Sequence, residues 1–247
     1  FAIHLAYCCA IGQSENELPY GNIIALNEHG AVLHYQHQSR EKPNGHLSFL
    51  IDAGAKFNGY ASDITRTYAM ENDEFASLLK RFEALQLELV GEVRAGVDFV
   101  DLHISCHQKI AQLLDEVGLA RGNPDTLMET GVTAAFFPHG LGHLLGVQVH
   151  DVGGHMGDDT GTVIEPPVEH PHLRMTRTLE VNHVMTIEPG IYVIDMLIAN
   201  LEGTAGYDLI DQQMLDWLRP YGGIRIEDNV RVLDDGCENL TRDAFAA

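Results

Sequence analysis

FLIDAGAKFNGYASDITRTYA, residues 49–69, reads as an apolar strand, a polar turn and a return strand. Phe49, Leu50 and Ile51 run directly into Asp52, and Asn58-Gly59 is a strong signal for a two-residue hairpin turn. If that turn closes the hairpin, Gly54 faces Asp63, and Asp52 lies two residues from Gly54 on the same face, because side chains alternate along a strand. The two aspartates are then diagonal neighbours, about 7–8 Å apart at Cα. Their carboxylates can converge on a pair of ions spaced about 3.5–4 Å apart. A lone aspartate in a hairpin ordinarily serves turn chemistry or a solvated face; the apolar run into Asp52 argues against that reading.

Three more residues sit where a short apolar run meets glycine or a turn: His143 in PHGLGH, Glu188 in MTIEPGIY and Glu227 in GGIRIEDN. A buried carboxylate is costly unless a positive partner neutralises it, and among arginines only Arg66 and Arg225 are close in sequence. Four carboxylates carry about four negative charges; two divalent cations would balance them, with an imidazole as neutral fifth ligand. One such glutamate alone reads better as a surface ion pair. Four with a glycine-flanked histidine strain that explanation and point to a two-metal hydrolytic site. His139, His143 and His150 could suggest zinc on a helix, but Gly140, Gly142 and Gly146 argue against a regular helix. Taken singly, each histidine reads as well as a hydrogen-bonded structural residue. Oxygen ligands dominate, so Mn²⁺ is favoured, with Co²⁺ or Zn²⁺ able to occupy the site.

The composition narrows the classes. With 247 residues and 45% hydrophobic content, the chain suits one large α/β domain or two small ones. No apolar run approaches the roughly 20 residues of a membrane span. A net charge of −21 argues against nucleic acid or an anionic membrane as partner. Cys8, Cys9, Cys106 and Cys237 show no CxxC spacing and read as reduced thiols of a cytoplasmic protein. Phe1 to Ile11 is apolar, lacks a basic flank, and reads as a helix packed on something. The chain opens on Phe, so an upstream portion is expected.

Periodicity and turn signals order the rest. Gly21 to Tyr35 reads as a β-hairpin around Asn-Glu-His-Gly, and His46 to Ala53 as a short buried strand. Phe75, Leu78, Leu79, Phe82, Leu85, Leu89 and Val93 keep helical spacing from Glu71 to Val93. A second helix follows, with Asp98 as N-cap and Gly118 as stop. Phe137 to His172 is loop and short strand. Val184 to Ile194 reads as a strand pair around Pro189-Gly190, Asp208 to Leu218 as an amphipathic helix, and Gly223 to Leu233 as a final strand.

Five strings in one order, PYGNIIALNEHGAVLHY, FLIDAGAKFNGYASDITRTYA, FPHGLGHLLGVQVHDVGG, MTIEPGIY and GGIRIEDNV, resemble the bacterial Xaa-Pro dipeptidase (prolidase) branch of the pita-bread metallopeptidases. Bacterial enzymes that hydrolyse organophosphorus triesters resemble the chain equally well. The resemblance implies an α+β pita-bread fold, a curved, mostly antiparallel sheet with helices on its outer face. Residues 1–17 would end the helix connecting an N-terminal domain, and residues 18–247 would be the catalytic domain. The full-length chain would be a homodimer.

The resemblance also implies roles. Asp52 would bind one metal ion, Asp63 and Glu227 would bridge both, and His143 and Glu188 would complete the other ion's shell. His139 and His150 would line the substrate site and contact the scissile carbonyl. Arg225 would meet the terminal carboxylate of an Xaa-Pro dipeptide or, equally, pair with a ligand carboxylate. The expected chemistry is amide hydrolysis by a water activated between the ions, with Glu188 passing a proton to the proline nitrogen. The alternatives are an aminopeptidase P-like or methionine aminopeptidase-like exopeptidase, a phosphotriesterase, or a metal-free binding module on the same scaffold.

Overall fold

Alternating side chains and a glycine turn build the hairpin that organises the molecule. The computed structural model describes residues 1–247. Helix α1 (Ala2–Ile11) precedes β1 (Ile23–Leu26), β2 (Ser48–Ala53), the short pair β3 (Lys56–Phe57) and β4 (Tyr60–Ala61), and β5 (Ile64–Ala69). Helices α2 (Glu74–Glu92), α3 (Phe99–Glu116), α4 (Pro124–Glu129) and α5 (Val132–Phe136) follow. The second half holds β6 (Val184–Ile187), β7 (Gly190–Tyr192), α6 (Asp195–Ala199), α7 (Ala205–Leu209), α8 (Gln212–Leu218), β8 (Gly223–Arg225), β9 (Asp228–Leu233), β10 (Gly236–Asn239) and α9 (Leu240–Ala246).

Asn58 and Gly59 both take positive φ, 50° and 88°, as a type I′ turn requires. Phe57 pairs with Tyr60, and in the same register Asp52 pairs with Thr65 and Ala53 with Ile64. Gly54 therefore faces Asp63. A Cβ on Gly54 would lie 1.9 Å from the carbonyl oxygen of Ser62, so no side chain fits between the strands there.

Long-range pairing overrides the hairpin expected over Gly21–Tyr35. After β1 the chain enters a 3₁₀ turn, Asn27–Ala31, and β1 pairs antiparallel with β2. Asn27 sits at φ 58°, and its side-chain oxygen accepts from the Leu47 amide at 2.8 Å. The local turn signal is thereby spent on docking beside β2. Likewise, Val184–Ile194 is not a self-paired strand pair: β6 pairs with β9 and β7 with β8. The helix expected over Asp208–Leu218 is two, because Asp211 caps α8 by accepting from the Gln213 and Met214 amides. Helix α1 forms; it buries only His4, with Phe1, Ile3 and Leu5 exposed.

The core lies between α2, α3 and the strands of the second half. Helix α2 buries Phe75, Leu78, Phe82, Leu85 and Leu89 along one stripe, and α3 buries Phe99, Leu102, Cys106, Ile110, Leu113 and Leu114. Asp73 and Asp98 cap the two helices by accepting from the Ala76 and Val100 amides. Gly118 ends the second at φ 79°. The four cysteines are free thiols. No helix is long and apolar enough to cross a membrane.

Candidate metal centre

Strand register brings distant acidic residues side by side. An antiparallel bridge joins Thr65 to Glu227, so Asp52, Thr65 and Glu227 lie in one row across three segments. The Thr65 hydroxyl donates to Glu227 Oε2 at 2.6 Å. The Tyr20 hydroxyl stands 2.7 Å from Asp52 Oδ1 and 2.5 Å from Asp63 Oδ1. A hydroxyl has one proton to donate, so the two carboxylates compete for it.

Residues 141–145 run extended beside β6. Glu188 N–H donates to Leu141 O, Thr186 N–H to His143 O and Leu145 N–H to Val184 O, at 2.8, 3.0 and 2.9 Å. A Cβ on Gly142 would fall 2.0 Å from Thr186 O, which explains why glycine precedes the histidine. His143 Nδ1 donates to Leu144 O at 3.0 Å. That tautomer leaves the Nε2 lone pair facing inward, 3.5 Å from Asp63 Oδ2 and 3.4 Å from Glu188 Oε1. One ligand atom each from Asp63, His143 and Glu227 lies within 4.8 Å of the others. Glu188 joins this group through His143 Nε2 and Asp52 through the shared Tyr20 hydroxyl, and all five residues singled out in the sequence line one cavity.

The electrostatics of this centre are unbalanced. Burial pushes Glu227 well above the usual carboxylate range, and Asp63, Glu188 and Asp52 add repulsion. Burial raises Glu188 to about 7, against the pull of His143. Asp52 is raised by burial despite Arg225. Burial alone would lower His143, but the Asp63 hydrogen bond and the Glu188 charge raise it. One guanidinium cannot neutralise four carboxylates. A donor set of four carboxylates and one neutral-capable imidazole around a shared point fits divalent cations with oxygen preference.

The centre opens into a cavity of about 790 Å³. His139, His150, Arg174 and Arg225 are among its walls. His139 Nδ1 donates to Gly140 O at 2.9 Å, so Nε2 accepts from the Tyr192 hydroxyl at 2.8 Å. Burial lowers His139 to about 3 and His150 to about 4, so both stay neutral. The His150 ring stands edge-on to His143, centroids 4.4 Å apart. Arg225 spends three donors on protein: Nη2 on Asp52 Oδ2 at 2.7 Å, Nε on the Thr65 hydroxyl at 3.2 Å and Nη1 on the Tyr192 hydroxyl at 3.1 Å. Tyr20, Thr65, Thr186 and Tyr192 escaped the sequence reading. Tyr20 and Tyr192 lie inside the quoted strings PYGN and EPGIY, but nothing local marks their hydroxyls for these partners.

The sequence matches metallopeptidase family M24 over residues 2–234. The chain belongs to that family. M24 membership accounts for the architecture, which is the expected α+β pita-bread fold. Curated Xaa-Pro dipeptidases from Shewanella loihica and Stenotrophomonas maltophilia are 55% and 54% identical to this M24 chain. The matches cover 98% and 100% of this chain but 55% and 56% of theirs, so the chain spans about half the length of those relatives. The low-pH form of Escherichia coli aminopeptidase P superposes with a TM-score of 0.71 at 28% identity, over 98% of this chain and 47% of that one.

Proposed function

We propose that this chain is the catalytic part of an Xaa-Pro dipeptidase that works with two divalent cations, Mn²⁺ in preference to Co²⁺ or Zn²⁺. The observation that carries the reading is that Asp52, Asp63, His143, Glu188 and Glu227 all line one cavity, with Asp63, His143 and Glu227 within 4.8 Å of one another. These five residues would hold the ions. Bound there, the cations would lower the pKa of a water and polarise the scissile carbonyl.

The chain's own residues do the rest. Glu188, among these five carboxylate and imidazole ligands, is the residue that takes up a proton from the attacking water and delivers it to the departing proline nitrogen. Neutral His150 on the cavity wall meets the carbonyl as negative charge develops on its oxygen, while His139, both of whose ring nitrogens are engaged by Gly140 and Tyr192, lines the same wall. Three of the five N–H hydrogens of Arg225 are engaged by protein, which sets the position of Asp52 and leaves two for the dipeptide's carboxylate. Arg174, exposed at the wall and in no ion pair, offers a second guanidinium to the same group. A prolyl amide has no N–H, and a pocket that asks for none accepts it without loss. The substrate is a small peptide, and the full-length chain works in the cytoplasm as a homodimer.

The likeness to aminopeptidase P favours a second reading, release of the first residue from longer peptides with proline second. Rates on Leu-Pro and on Leu-Pro-Gly with added Mn²⁺ separate the two. A dipeptidase cleaves Leu-Pro at least about 10-fold faster, a difference of about 1.4 kcal/mol in barrier. The opposite order of rates overturns the dipeptidase reading.

A further inference from the structure

A second, smaller cavity of about 190 Å³ lies near the first, and its wall carries three histidines that the proposed reaction does not use: His103, His107 and His170. His103 and His107 stand four residues apart on α3, so their side chains share one face of the helix. That face is the core face, where Leu102, Cys106 and Ile110 are also buried. His170 reaches the same point from the loop before β6. One nitrogen from each ring lies within 4.8 Å of the other two. In a four-coordinate zinc site, Zn–N bonds of about 2.0–2.1 Å put the nitrogens roughly 3.4 Å apart, so small side-chain adjustments close the set.

Ordinary packing leaves these histidines unexplained. Their relative exposures are only 1% for both His103 and His107. The Nδ1 atom of each is buried with no hydrogen-bond partner. Native interiors pair nearly all such atoms, because an orphaned one forfeits its hydration. The rings instead crowd together, two pairs edge-on and one tilted, with centroids 4.7 Å apart for His103–His107, 4.5 Å for His103–His170 and 4.6 Å for His107–His170. Burial, then the neighbouring rings, push His103 down to about 2 and His107 to about 3. Burial lowers His170 as well. All three are therefore neutral, the form that binds metal without first losing a proton.

We propose that His103, His107 and His170 form a third metal site, separate from the carboxylate centre, for a cation of the zinc type. Three imidazoles suit Zn²⁺ or Co²⁺, whereas the carboxylate centre suits Mn²⁺. A water or the exposed carboxylate of Glu169 at the cavity wall completes the fourth position. The ion ties α3 to the loop around His170. It also backs Phe137, whose ring centroid is 5.0 Å from that of His107 and 4.9 Å from that of His139.

Zinc stoichiometry of the purified, tag-free protein tests the site, by equilibrium dialysis and plasma mass spectrometry. The wild type should take up three Zn²⁺ per chain and H170A two, with Mn²⁺-dependent Leu-Pro hydrolysis in H170A within about twofold of wild type. Cobalt loading adds a spectroscopic readout. The intense visible absorption of four-coordinate Co²⁺ should appear in the wild type and vanish in H170A and H107Q. H107Q alters a core position; if it does not fold, the wild-type stoichiometry and H170A decide. A wild type that saturates at two ions, or an H170A that binds as many as the wild type, overturns the proposal.

Discussion

Glu188 and Glu227 face each other across a gap in two ladders that share one register. Ile187 pairs with Asp228 on one side of the gap and Gly190 with Arg225 on the other, so continued pairing sets Glu188 opposite Glu227. Pro189 has no N–H to give the ladder, so of the pair it would form only the bond from Ile226 N–H to Pro189 O remains, at 3.4 Å. Residues directly opposite share a face, so both carboxylates point to the same side.

Glu227→Gln should act in opposite directions with and without metal. It removes a carboxyl that burial, with Asp63, Glu188 and Asp52 beside it, forces to take up a proton when the metal-free chain folds at neutral pH. In chelator the variant should therefore be more stable than the wild type, by roughly 1–3 kcal/mol. It should also lose bound metal and at least about 100-fold in Leu-Pro hydrolysis, beyond what loss of a ligand's outer partner usually costs. Denaturant melts with and without Mn²⁺ measure the first effect; a variant destabilised in both conditions contradicts it.

Arg225→Met should destabilise the metal-free protein by about 3–5 kcal/mol, because it strands the buried Asp52 carboxylate and two hydroxyl acceptors. Saturating Mn²⁺ should shrink that loss, since cations replace the missing positive charge. A deficit of equal size with and without Mn²⁺ would show that the guanidinium matters only for packing.

Glu188 predicts a pH dependence for the metal-free state. Its folded-state value is about 7, against 4.5 for the unconstrained side chain. The folded chain therefore holds a proton that the unfolded chain has released between those values. The stabilisation is full below about pH 4.5 and is lost as pH rises through about 7, by about 3 kcal/mol in all. In chelator, the stability difference between wild type and Glu188→Gln should move by that amount between pH 4.5 and 8, the wild type losing ground as pH rises. A flat difference contradicts the assigned environment.

Gly54→Ala should cost about 1–3 kcal/mol or more, because the new Cβ would meet Ser62 O at 1.9 Å, with the Tyr20 and Pro19 side chains at 2.9 and 3.0 Å. Any relief must open the hairpin between Asp52 and Asp63, so metal affinity should fall together with the melting temperature. Unchanged affinity in a destabilised variant would uncouple the turn from the centre.

Much of this was legible in residue order. Asn58-Gly59 set the register, and with it the separation of Asp52 from Asp63, because turn chemistry and period-two alternation are local rules. Helices α2 and α3 declared themselves by apolar spacing and by Asp73 and Asp98 as caps. The hairpin expected over residues 21–35 failed for the complementary reason. Strand pairing is a competition between partners, and β2 won β1 from a nearer candidate. Tyr20 and Tyr192 were invisible for the same cause, since their hydroxyl partners lie 32 to 53 residues away.

The amino-acid order alone determined which residues are apolar, where the chain turns, and that carboxylates follow apolar runs at Asp52, Glu188 and Glu227. Only the tertiary structure decided that Thr65 bridges to Glu227, that Arg225 reaches Asp52, and that two histidines of α3 meet a third from a distant loop. Alternation and capping act over a few residues, whereas the meeting of distant charges depends on which strand edges and helix faces find each other once the core has closed.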